Sequence, residues 1–293
     1  MVLLLKNGSK FVGLVLFGLF VFSLLDVVVI NSQNTKKISS TPFGWVRYPK
    51  PLPESPIMRC ANYSQNDWRV INEAGNIDIR LDTEFDRINP LPPQINSNAV
   101  AVSNVRERYV LKVEDGWLVG LNGGEFGGGL WWFSTDANDT LKLSDDRILG
   151  LSKCAKGVLA LSGISHMGRE AGKVILITGM GRSQKVSLLA DLHIMPRAFT
   201  VESPDSWLII TSSKLLRLKT TGEVKALFTT DYRLLYPNSM ALLSSGVLYV
   251  GMRHFITSLT PSETGYREDW FVPKDCTKFK LQNTSCICET PQK

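Results

Sequence analysis

An all-β architecture is predicted by three features of the sequence. From about residue 100 onward, apolar residues alternate or form short runs bounded by Gly, Ser, Asp and Asn, the pattern of strands and tight turns. No part of that region carries a capped apolar stripe of helical period. One unit also recurs at near-regular intervals, as Gly116-Trp-Leu-Val-Gly120, Gly157-Val-Leu-Ala-Leu161, Ser206-Trp-Leu-Ile-Ile210 and Gly246-Val-Leu-Tyr-Val250. A period of this kind, long enough for four short strands and made only of strands, belongs to a β-propeller. The expectation is a β-propeller of five or six four-stranded blades, preceded by one N-terminal hydrophobic helix.

The elements follow in chain order. Residues 1–10 carry Lys6 and Lys10 and read as a short cytoplasmic terminus. Phe11–Ile30 is apolar apart from Gly13, Gly18, Ser23 and Asp26. Twenty helical residues span roughly 30 Å, the thickness of a bilayer core. The run is long for a signal peptide and Ile30-Asn31-Ser32 is a poor cleavage site. An uncleaved signal-anchor is therefore expected, with the rest of the chain periplasmic or extracellular. Secretion after cleavage is the alternative. Residues 31–56 hold Pro42, Pro49, Pro51, Pro53 and Pro56 among polar residues and read as an extended linker.

The propeller is placed at residues 57–276 and a tail at 277–293. Trp68–Leu81, turning at Glu73–Asn76, supplies a partial blade. Full blades are read at Val110–Val113, Trp117–Leu121, Leu130–Phe133 and Thr140–Leu143; at Ile148–Ser152, Val158–Leu161, Lys173–Thr178 and Val186–Leu189; at Ala198–Glu202, Trp207–Thr211, Leu215–Lys219 and Val224–Thr229; and at Ser239–Leu243, Val247–Gly251, Phe255–Leu259 and Glu268–Val272.

The chain has 293 residues, 44% hydrophobic and 20% charged, with a net charge of +6. These values exclude a disordered or coiled-coil chain. The basic residues are scattered, so the charge does not call for nucleic acid. Of five cysteines, Cys60 opens the folded part, Cys276, Cys286 and Cys288 crowd its end, and Cys154 lies between. In an oxidising compartment a bond from Cys60 to a late cysteine would join the two ends of the domain. Cys154 reads as a buried apolar residue.

The turn Tyr236-Pro-Asn-Ser-Met-Ala241 and the strand ending at Val250 resemble the blade signature of six-bladed propellers: gluconolactonases, paraoxonase-like esterases and NHL repeats. Pro196–Glu202 running on to Gly222 has the same cadence. In the lactonases the Asn of such a Pro-Asn turn is a metal ligand, so the resemblance implies Asn238, and no other residue, as a ligand of Ca2+ or another divalent metal; Glu125, from a loop on the same face, is the further partial ligand of that alternative. One or two ligands do not hold a metal by themselves, so a cofactor is not expected from the residues alone.

Strand parity locates a site. In a four-stranded blade the second-to-third and blade-to-blade connections emerge on one face. The former contain Glu125, His166, Arg169, Glu170, Arg253 and His254; the latter contain Asp191, His193, Arg197 and Asn238. Glu125, His166, Arg169, His193, Arg197, Asn238, Arg253 and His254 are the candidate ligand-binding residues at the channel mouth. Gly123–Gly129 lacks the Lys-Ser/Thr of a phosphate loop and reads as a wide hairpin turn presenting Glu125. Arg106-Glu-Arg108 reads as a solvated strand end, and Asp145-Asp146 as a turn. Gly163–Gly168 is one residue too long for a nucleophile elbow. No complete catalytic set emerges. The leading expectation is a membrane-tethered binding module for a small ligand or a protein partner. A metal-assisted lactonase or esterase and a structural subunit of an envelope assembly are the alternatives.

Overall fold

Each predicted apolar run becomes a strand, and nineteen strands form among the described residues. The computed structural model describes residues 41–83, 87–96 and 105–274, all within one compact unit, Ser40–Lys293. The hydrophobic run 11–30 and the tail 277–293 lie outside the described residues. Among those described, no helix is long and apolar enough to cross a membrane.

The chain opens with β1 (Trp45–Tyr48) and helix α1 (Pro56–Asn62). Pro56 fits the first helical turn, where its missing N–H costs nothing, and the Ser55 hydroxyl caps the Met58 N–H. The first blade is the hairpin β2 (Trp68–Glu73) and β3 (Asn76–Leu81). The second is β4 (Glu107–Val113), β5 (Gly116–Asn122), β6 (Gly128–Ser134) and β7 (Thr140–Ser144). The third is β8 (Ile148–Cys154), β9 (Gly157–His166), β10 (Arg169–Thr178) and β11 (Lys185–Asp191). The fourth is β12 (Pro196–Ser203), β13 (Ser206–Thr211), β14 (Lys214–Lys219) and β15 (Val224–Thr229). The fifth is β16 (Ser239–Leu242), β17 (Leu248–Gly251), β18 (Ile256–Ser262) and β19 (Gly265–Pro273). Strands pair antiparallel in chain order within each sheet.

The innermost strands touch in sequence, β4 to β8, β8 to β12, β12 to β16 and β16 to β2. The circuit closes through residues 87–89. Ile88 bridges Arg108 of β4, and Arg87 pairs with Asp82 and Asp67 beside the first blade. This is a β-propeller. Among the described residues four sheets have four or more strands, and Trp68–Leu81 forms the partial blade expected of it, a two-stranded hairpin. The segment 31–56, read as an extended linker, is corrected in part: it contains β1, which pairs with β19 from Trp45↔Pro273 to Tyr48↔Trp270 and gives the last blade a fifth, outer strand.

Strand parity explains why the runs are apolar on both faces. In β5 and β6, Leu118, Leu130 and Trp132 face the third blade, whereas Val119, Leu121, Trp131 and Phe133 face Leu91, Ile95 and Val105. Leu91, Ile95 and Val105 thus cover the face of the second blade turned away from the third. In β13, Trp207 and Ile209 face the third blade while Leu208 and Ile210 face the fifth. Each such side chain contributes about 1.5–3 kcal/mol by burial. Helix α1 adds Met58 and Ala61 to the core of the last two blades. Cys60 is disulfide-bonded to a residue outside those described, and Cys154 is a free, half-buried thiol.

Candidate functional site

The parity argument places the connections β5–β6, β9–β10, β13–β14 and β17–β18 beside those that link one blade to the next, and a cavity forms among them. It measures about 1160 Å³ and is lined from the second, third and fourth blades and from the β15–β16 connection; Arg106, Glu125, Arg147, His166, Arg197 and Tyr236 are among its walls. A narrower space of about 300 Å³ takes residues from every blade, including Asp67, Arg69, Glu107, Arg197, Asn238 and Arg253, and marks the axis of the ring.

Carboxylates in the large cavity are already engaged. Glu125, in a tight turn at Gly124–Phe126, has its Oε2 3.2 Å from His166 Nδ1. Asp231 pairs with Arg233 at 3.0 Å, and Glu170 accepts from the Ser165 hydroxyl at 3.2 Å. Glu107 accepts from Asn122 Nδ2 at 2.8 Å and from the Tyr109 hydroxyl at 3.3 Å.

The guanidinium groups are not equally engaged. Arg147 Nε donates to the Gly124 carbonyl at 2.5 Å. Gly124 has φ 64 and a Cβ there would press on the Arg106 guanidinium, so the glycine seats both arginines. Among the described residues, Arg106 and Arg197 have no carboxylate within ion-pair distance. Arg197 is half-buried, and its Nε is shielded from solvent with no acceptor. Burial holds the Arg197 guanidinium below its ordinary value, against the raising pull of Glu170, Tyr236 and Glu107. Tyr236, held at φ 49, places its ring 5.8 Å from Arg197 and 4.4 Å from Arg253.

The sequence-predicted residues are distributed unevenly. Glu125, His166 and Arg197 line the large cavity, and Arg197, Asn238 and Arg253 line the axial one. His193 lies against a separate space of about 420 Å³ on the flank of the third blade. Arg169 is exposed beside the β9–β10 turn and lines none of these spaces. His254 is withdrawn from the mouth. It is 2% exposed, packs on Phe255 at 4.8 Å, and burial lowers its pKa to about 4. Arg253 works in the ring closure, its Nε donating to Asp67 at 3.1 Å and its Nη1 to the Asn62 carbonyl at 2.8 Å.

The pair Glu125 and Asn238 is not assembled as a metal site. The two line different spaces, and Asn238 Oδ1 accepts from the Ser239 hydroxyl at 2.8 Å. No group of three or more His, Cys, Asp or Glu is disposed to hold a metal among the described residues. Arg106, read from sequence as part of a solvated strand end, and Arg147, which the sequence reading passed over, are walls of the cavity. Their signal is positional. Arg106, Arg147, Arg197 and Asn238 stand at the entries to β4, β8, β12 and β16, so they recur with the period of the blades themselves.

No protein-family model matches the chain, and no curated protein does. Solved structures are similar in shape. A gluconolactonase from Xanthomonas campestris is 9% identical, with a TM-score of 0.38 over 59% of this chain and 60% of that one. The chain thus covers about three fifths of that protein's length. The N-terminal domain of Nup159 is 12% identical, with a TM-score of 0.38 over 78% of this chain and 68% of that one. The Nup133 β-propeller domain of Vanderwaltozyma polyspora is 10% identical, with a TM-score of 0.28 over 70% and 65%. The propeller assignment rests on the sheets and their contacts, not on these likenesses.

Proposed function

We propose that this chain is a membrane-tethered, extracytoplasmic β-propeller module that binds a ligand at the mouth of its ring. One observation carries the binding role: the cavity of about 1160 Å³, walled by polar side chains from successive blades at the end where their loops meet. A space of that size takes an organic molecule or a peptide segment. The disulfide at Cys60 supports an oxidising compartment. The apolar run 11–30 with Lys6 and Lys10 before it supports a tether with its amino terminus in the cytoplasm.

Ser213, in the short β13–β14 turn at the cavity wall, gives a test that spares the core. A thermal-shift panel of anionic, neutral and cationic metabolites and short peptides is run on the full-length chain and on Ser213→Trp. At least one compound is expected to raise the melting temperature of the first and not of the second. A panel in which nothing distinguishes the two proteins refutes the binding reading. For the tether, protease added outside intact cells should degrade the domain, and the amino-terminal run should remain on the mature chain.

A further inference from the structure

The propeller repeats a positive charge at one position of its blades. Arg106 precedes β4, Arg147 precedes β8, and Arg197 stands at the second residue of β12. The β12–β13 register shifts between Pro196 and Ala198, so Arg197 sits at the irregularity that opens its strand. All three border the same cavity. In the fifth blade the equivalent entry residue is Asn238, whose Nδ2 is buried without an acceptor. These positions track the blade period, so the fold itself brings the three arginines to one opening.

The state of the entry arginines points to the chemistry of the ligand. The cavity's carboxylates Glu125, Glu170, Glu107 and Asp231 each have a protein partner. Of the three entry arginines, only Arg147 has a side-chain hydrogen bond among the described residues, and that is to a carbonyl. A guanidinium carries five N–H donors and no acceptor. The mouth therefore holds three guanidinium forks with no carboxylate in ion-pair contact among the described residues. Planar donor forks match carboxylate and phosphate oxygens. Arg197 matters most, because it is partly desolvated and an ion pair there is less screened than one at the rim.

Resting on the proposed binding role, we infer that the mouth is an oxyanion site for a small organic molecule bearing two or more phosphate or carboxylate groups. Arg197 holds one group deep in the cavity, and Arg106 and Arg147 hold another beside the Gly124 turn. A bare ion would leave most of the space of about 1160 Å³ unfilled. Two like groups on one molecule engage arginines from adjacent blades at once.

The test titrates the full-length chain with pyrophosphate and with citrate at low salt, by calorimetry. At least one is expected to bind, with affinity falling as salt rises. Pyrophosphate alone assigns a phosphoryl ligand, and citrate alone a carboxylate. Arg197→Gln should weaken binding at least about tenfold, the loss of one charge-assisted pair. Arg106→Gln, on an exposed side chain, should weaken it without touching the fold and keeps the test valid if Arg197→Gln is unstable. Arg182→Gln, remote from the mouth and paired with Asp139, should change nothing. Absence of binding by both probes, or binding equal in wild type, Arg106→Gln and Arg197→Gln, overturns the inference. A neutral or cationic compound lost in Ser213→Trp but kept in Arg197→Gln would overturn it while leaving the binding role intact.

Discussion

His254 ties a single side chain to the pH response of the whole domain. Its backbone N–H donates to the Asn66 carbonyl at 2.7 Å and its carbonyl accepts from the Trp68 indole at 3.2 Å, so it is fixed from both sides. Above its ordinary value of about 6.5 the imidazole is neutral whether the chain is folded or not. Below that, the unfolded chain takes up a proton that the fold refuses until about pH 4. Stability conferred by the neutral histidine is therefore present above about pH 6.5 and is lost as pH falls toward 4, by about 3 kcal/mol in total. Urea midpoints at pH 7, 5.5 and 4.5 should show that loss, and His254→Asn should flatten it. Asn suits the test because the residue sits at φ 68, where few other side chains rest easily. An unaltered slope in the variant would assign the acid sensitivity elsewhere. The sequence marks His254 as a loop histidine at the mouth; it does stand in the β17–β18 loop, but buried. Its burial is not legible there, because Asn66, Trp68 and Phe255 surround it only after the ring has closed.

Strands are the most legible elements, and the reason is local. β15 spans Val224–Thr229 as its apolar run and flanking turns dictate. β10 starts at Arg169 instead of Lys173 because ladder pairing of Arg169 with His166 needs no apolar side chain. Missing from the sequence reading is β1, a short strand among prolines whose partner β19 lies at the far end of the domain. An edge strand tolerates neighbouring prolines, and no local pattern announces it. Close approach between elements sets another constraint. Gly251 ends β17 against the first blade, and a Cβ there would fall on the Trp68 carbonyl and the Ser239 hydroxyl. That hydroxyl accepts from the Val70 N–H at 2.9 Å, so the space is bounded by atoms already committed. Gly251→Ala should lower stability by roughly 2 kcal/mol or more, by overpacking at fixed backbone. Chemical denaturation reads it, and a change under about 0.5 kcal/mol, the ordinary range of a surface substitution, would mean that the first blade yields.

The ring as a whole is closed by charge as well as by packing. Arg253 pairs with Asp67, Asp67 with Arg87, and Arg87 with Asp82, which also receives Arg69 at 2.7 Å. This chain runs from the fifth blade across the first to the segment that bridges β4. Asp82 is its most enclosed member, 2% exposed. Asp82→Asn removes the shared anion from two arginines that are themselves partly exposed, and about 1.5–3 kcal/mol, the worth of hydrogen bonds to a charged group, is the expected cost. The variant should unfold at lower denaturant yet keep its core sheets once folded, as near-ultraviolet dichroism would report. A loss below about 1 kcal/mol, the level of an exposed ion pair, would show that packing alone seals the ring. None of this network is visible from sequence spacing. Asp67, Arg69, Asp82, Arg87 and Arg253 become neighbours only through closure. The entry arginines are the opposite case. They are legible in principle, since they recur with the blade period, but their meaning needs the knowledge that each stands at the start of an innermost strand.

The outer position of β1 has a mechanical consequence. Any force applied to the chain ahead of residue 40 would reach the domain through Trp45–Tyr48, a ladder of four paired positions. Just beyond it, Lys50 is clamped to Glu268 at 2.7 Å. Tension would therefore be spent on peeling one peripheral strand before it reached the blades, leaving the mouth and its arginines undistorted under load.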